Sequence, residues 1–146
     1  MPAVAFHFNA PDRLGYACRL LRKAYLKGAR LLVLAEAPEA AALDQQLWTM
    51  AGTGFVPHCL ATSAGQVRSR SPIVIATTDD APSDAASVLV NLRHQMPNGF
   101  LAFDRVIEVV TADPQDRAQA RTRWKSYKAA GLEPQHLDLL QAPGQN

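Results

Sequence analysis

Four cations, Arg117, Arg121, Lys125 and Lys128, recur at steps of three and four residues in a stretch without a single acid from Arg117 to Gly131. At about 100° per residue they fall within one narrow arc of a helix. Ala120, Trp124 and Tyr127 lie immediately beside that arc, so the expected feature is a cationic stripe bordered by large rings. Like charges four residues apart weaken a helix, and an anionic partner relieves them. Arginine also forks onto carboxylates in a bidentate way. Two ligands suit this chemistry. A nucleic-acid strand would stack its bases on Trp124 and Tyr127. An acidic peptide ending in an aromatic would lay carboxylates on the stripe and its ring against Trp124. The plain alternative is a solvated positive face, favoured by the macrodipole near the end of a helix.

The second tryptophan, Trp48, follows Leu47 and stands about 100° round from the apolar stripe of its own helix. That shoulder position suits core packing or the wall of a surface pocket. Other chemistries lack their residues. The turn FNAPDRLG (residues 8–15) after the first strand holds no G-x-G-x-x-G and no Walker lysine. A proline there removes a backbone N–H that a pyrophosphate would need. His7, His58, His94 and His136 form no HxxxH or HExxH pair, and His7, in an apolar strand, reads as a structural residue. Asp79 and Asp80 sit in a polar loop where solvated turn residues are the norm. No G-x-S-x-G elbow is present. Neither a catalytic residue, nor a metal site, nor a cofactor is expected.

The elements that must position these residues alternate. Strands are expected over residues 4–8, 30–35, 71–77, 87–92 and 105–111, each a short apolar or β-branched run. Asn9 is the expected cap of a first helix, with Leu14, Cys18, Leu21 and Tyr25 on its apolar face and Gly28 at its end. A second helix starts near Pro38 and buries Leu43, Leu47 and Met50. FVPHCL (55–60) contains a proline and suits an edge strand or loop. The long helix from Pro114 to residue 130 stops at Gly131. After it, a tail over 132–146 packs through Leu137, Leu139 and Leu140 and then frays.

This alternation implies one α/β domain over residues 1–146, a three-layer Rossmann-like sandwich with a mostly parallel or mixed sheet. Some antiparallel pairing is expected between residues 71 and 92. A net charge of +2 is too small to argue for nucleic acid, and 48% apolar content is that of a globular chain. Cys18 and Cys59 fit no CxxC spacing and read as buried thiols in a reducing compartment. With no signal peptide and no apolar run of membrane-spanning length, the expectation is a cytoplasmic protein without membrane contact.

LDQQLW, FVPHCL, SPIVIA, VLVNLR, FDRVIEVV and ARTRWKSYKAAG come in the order and approximate spacing of one family. The chain, from its first strand to about Leu132, resembles the chi subunit of bacterial DNA polymerase III. The resemblance implies a non-catalytic adaptor in the clamp-loader assembly that grips the acidic C-terminal tail of single-stranded DNA-binding protein and contacts DNA mainly indirectly. It places the arginine opening the ARxRWK motif on Arg121, for the terminal carboxylate of that tail. Trp124 and Lys125 follow as ring contact and acid contact, and the LDxxLW tryptophan, Trp48, as another pocket wall. Arg117 and Lys128 join by sharing the helix face. The family's psi-binding surface falls on Phe55, Val56, Pro57 and Leu60. The rival readings are a diverged small-molecule or nucleotide-binding domain, or an enzyme, and direct binding of single-stranded DNA through the same stripe.

Overall fold

The computed structural model describes residues 1–49, 55–79 and 86–140. Seven strands form its sheet: β1 (Ala3–Ala10), β2 (Leu31–Leu34), β3 (Cys59–Leu60), β4 (Ile73–Ala76), β5 (Val88–Asn91), β6 (Arg105–Thr111) and β7 (Gln135–Asp138). Among the described residues four α-helices accompany them: α1 (Arg13–Leu26), α2 (Ala37–Trp48), α3 (Gly65–Arg70) and α4 (Pro114–Ala129). The strand order is β3-β4-β2-β5-β6-β1-β7 and every pairing is parallel.

Side-chain alternation along β2 explains the layers. Leu31 and Val33 join the core beneath α1 and α2, while Leu32 and Leu34 join the core beneath α4. All four are buried, as expected of a parallel strand covered on both faces. The result is the expected three-layer sandwich. None of its described helices is long and apolar enough to cross a membrane.

Several local expectations need correction. Among the described residues, no antiparallel pair forms between 71 and 92, because β4 and β5 are not neighbours. Both run parallel to β2, which lies between them. Asn9 caps no helix: it lies inside β1 with φ 65°, at a register shift between His7 and Ala10. Asparagine tolerates this left-handed geometry, and its amide donates to Asp138 at 2.9 Å. Asp12 takes the cap position instead. Residues 65–70 form the short α3 between β3 and β4. Residues 135–138 form the edge strand β7 beside β1. Of FVPHCL, only Cys59–Leu60 pairs, at the opposite edge. Met50 lies outside the described residues. Both cysteines are buried and free. Burial, reinforced by Asp12 and opposed by Arg19, pushes the Cys18 thiol up to about 11, so it keeps its proton.

Candidate functional site: an aromatic pocket rimmed by arginine

Helix α4 has two chemically distinct sides. Its start is set by Asp113, whose carboxylate accepts the Asp116 N–H at 3.0 Å, with Pro114 in the first turn where an N–H is dispensable. On the inner side Ala120, Arg123 and Tyr127 are buried. Tyr127, expected to border the stripe, is fully buried and donates its hydroxyl to Glu108 at 2.8 Å. Arg123 donates through Nε to the same carboxylate at 3.0 Å and through Nη1 to the His94 carbonyl at 2.9 Å. Asn91 adds contacts at 3.0 and 3.1 Å. Burial pushes the Glu108 carboxyl up, opposed by the charge of Arg123 and by the donors around it.

The outer side is different. Arg117, Arg121, Lys125 and Lys128 are exposed, and no ion pair joins any of them to a described acid. Between this side and the sheet lies a cavity of about 280 Å3 lined by Phe6, Phe8, Val110, Arg117, Ala120, Arg121, Trp124 and His136. Trp124 is half-buried and meets Phe6 at a ring-centroid distance of 5.1 Å and His136 at 6.0 Å. Phe8 meets His136 at 5.8 Å. Offset and tilted rings at such separations attract each other, so the walls are pre-organised. A pocket with aromatic walls, two arginines and no lining acid suits an apolar or aromatic group carrying a negative charge.

Of the six residues expected in one tail site, the structure brings together Arg117, Arg121 and Trp124. Lys125 and Lys128 continue the same helix face outside the cavity lining. Trp48 does not reach this pocket, because α2 covers the opposite face of the sheet. It instead stacks with Phe55 at 5.3 Å and His58 at 5.0 Å, and both Trp48 and Phe55 are more than half exposed. Of the expected psi surface, Phe55 is exposed and Pro57 and Leu60 are half-buried, but Val56 is buried in the core. Val56 therefore offers no contact area, and Trp48 supplies the apolar surface beside Phe55.

Sequence reasoning missed four pocket residues. Phe6 and Phe8 alternate with His7 on β1 and therefore share the α4 face, a signal that was available. Val110 and His136 depend on the pairing of β6 and β7 around β1, for which local sequence carries no signal.

Over the carboxyl ends of β1, β2, β5 and β6, a place where doubly wound folds hold nucleotides, the chain's own side chains pair with one another. Arg13 donates to Asp116 at 2.6 Å, reaches Glu39 at 3.4 Å and touches the Leu92 carbonyl at 3.3 Å. Asp116 also accepts from the Thr111 N–H at 2.8 Å and from its hydroxyl at 2.9 Å. Burial alone would push the Asp116 carboxyl up, but the Thr111 and Arg13 contacts outweigh it and hold the group below the usual range. Nearby, Arg93 pairs with Asp79 at 2.7 Å. Among the described residues, no group of three or more His, Cys, Asp or Glu side chains converges as a metal site would require.

Comparison with known proteins identifies the family. The family model described as DNA polymerase III chi subunit, HolC, matches residues 1–135. The DNA polymerase III subunit chi of Pseudomonas aeruginosa is 32% identical over 120 residues, 82% of this chain and 81% of that protein. The Escherichia coli subunit chi is 30% identical over 116 residues, 79% of this chain and 78% of that protein. A chain in a solved S. cerevisiae complex of dbp5 with nup159 and gle1 superposes with a TM-score of 0.64 at 15% identity. That match covers 94% of this chain and 42% of the other, a likeness of fold alone. With a family model spanning nearly its whole length and two such relatives, the chain belongs to the DNA polymerase III chi subunit family, accessory rather than catalytic subunits of the replicative holoenzyme.

Proposed function

We propose that the pocket between α4 and β1 binds the acidic C-terminal tail of single-stranded DNA-binding protein and so holds the polymerase machinery on coated DNA. The observation that carries this reading is an aromatic cavity edged by Arg117 and Arg121, neither paired with a described acid. The last ring of the tail enters among Phe6, Phe8, Trp124 and His136. Its terminal carboxylate meets Arg121, and upstream acids spread along Arg117, Lys125 and Lys128. One such pocket on a flexible peptide gives micromolar affinity, about 8 kcal/mol. Many tails on one coated strand raise the effective concentration, so the assembly stays tethered and still moves.

The exposed Trp48 and Phe55 pair, with Pro57 and Leu60, is the surface for a second partner, the psi subunit, which links chi to the clamp loader. An exposed aromatic pair of this kind is an anchor for a protein interface.

Calorimetry with an acidic peptide ending in Pro-Phe, run against an oligonucleotide of equal length, tests the tail reading. Arg121→Ala is expected to weaken the peptide by tenfold or more, consistent with roughly 1.5–3 kcal/mol for a hydrogen bond to a charged group. Thermal stability should hardly change. An unaltered dissociation constant would refute the assignment.

A further inference from the structure

A second cavity lies on the other face of β1, between α1 and the sheet, with a volume of about 320 Å3. That is within the ~300–1,000 Å3 usual for ligand clefts. Its rim carries Arg19, Lys23 and Lys27 from α1 and Arg105 from the start of β6, and its lining contains no acid. The three α1 cations follow at intervals of four, about 6 Å apart along the helix axis and within one arc. All four rim cations are exposed, and none forms an ion pair with a described acid. The stripe therefore carries charge that the fold itself does not use.

The floor is polar but uncharged. His7, 8% exposed, lines the cavity with Tyr16, and its Nδ1 lies 2.6 Å from the Tyr16 hydroxyl. The other ring nitrogen, Nε2, has no protein partner among the described residues. Burial, reinforced by Arg105, lowers the imidazole to about 4, so it is neutral at physiological pH. A neutral imidazole offers one donor and one acceptor and carries no charge to attract an anion. Leu20, Ala24, Val88, Ile107 and Leu137 supply apolar walls. The complementary ligand has anionic groups at fixed intervals outside and a flat, neutral, hydrogen-bonding body inside. An acidic side chain matches the rim but offers the floor acceptors only, whereas a base edge presents donor and acceptor on one flat body.

We infer that the α1 cleft binds single-stranded nucleic acid, with phosphates on Arg19, Lys23, Lys27 and Arg105 and one base inserted toward His7 and Tyr16. This site is separate from the α4 pocket and lies on the opposite face of the sheet.

Fluorescence anisotropy of a labelled oligothymidylate at low salt tests it on the full chain. The double variant Lys23→Ala, Lys27→Ala should weaken the oligonucleotide at least tenfold with an unchanged unfolding midpoint, both residues being exposed. Loss of two phosphate contacts should also flatten the log–log salt slope by about 1.4, at about 0.7 per contact for single strands. Arg121→Ala should leave oligonucleotide binding within twofold while weakening the peptide tenfold or more, so the two sites fail separately. In the unaltered protein the His7 Nε2 resonance should shift on adding oligonucleotide. The inference is overturned if the double variant binds the oligonucleotide normally or if Arg121→Ala removes that binding. It is equally overturned if an acidic peptide displaces the oligonucleotide from the Lys23 and Lys27 surface, or if thymidine monophosphate binds as tightly as the oligomer.

Discussion

Arg121 and Arg123 stand two residues apart on α4 with the same side chain and opposite fates. Arg123 is 3% exposed and committed to Glu108, so its charge is consumed inside the protein. Arg121 is exposed at the mouth of an aromatic cavity without a described acid in reach. A charge removed from water is costly unless paired, whereas an exposed unpaired one leaves its attraction available to a ligand. The partner, and not the residue type, decides which arginine is committed to the fold and which keeps its charge available.

The strongest way to test this difference is to remove the inner arginine. Arg123→Ala leaves the Glu108 carboxylate buried without its cation and should lower unfolding free energy by about 3–5 kcal/mol in a denaturant titration. Replacing the pair together, as Arg123→Met with Glu108→Gln, should recover much of that loss, because no charge is then stranded. A loss below about 1 kcal/mol for Arg123→Ala would show that the network is not a support for α4.

Asp116 comes next and brings a pH signature. Its folded-state carboxyl is held below the value of about 3.9 expected in the unfolded chain. Its contribution is therefore present above about pH 4 and disappears as pH falls through the lower, folded value. Asp116→Asn should cost about 1–3 kcal/mol at neutral pH by leaving the mostly buried Arg13 with only its longer contacts to Glu39 and the Leu92 carbonyl. The stability curves of the two proteins should approach each other in acid. A gap that stays constant from neutral to strongly acidic pH would mean that Asp116 acts through packing and not through charge.

The same contrast explains what was legible beforehand. The span of β6 and the start of α4 followed from the run RVIEVVT and from Pro114, because a β-branched run and a proline that opens a helix are local signals. The pairing of α4 with β1 depends on crossovers, so the cavity they enclose was visible only as a stripe of cations. Helical periodicity gives the angle of Trp48 about its own axis but not the face of the sheet that α2 covers, and its expected place was wrong for that reason. Arg123 was passed over because arginine on a helix is usually exposed. One signal did exist: Glu108 stands alone in an apolar strand, and a buried carboxylate requires a cation from elsewhere.

The smallest expected effect concerns the stripe itself. Lys128 shares the outer face of α4 with Arg121 but does not line the cavity, so in the proposed complex it would meet only the upstream acids of the tail, in high dielectric. Calorimetry on Lys128→Ala should show about a twofold weaker peptide at low salt, a difference that vanishes near physiological ionic strength because exposed pairs contribute little. Arg121→Ala should keep most of its penalty there, since a ring seated in the pocket fixes the carboxylate against it at short range. If Lys128→Ala matched Arg121→Ala at every salt concentration, the whole ridge would act as one diffuse field. The aromatic cavity would then lose its role in orienting the tail.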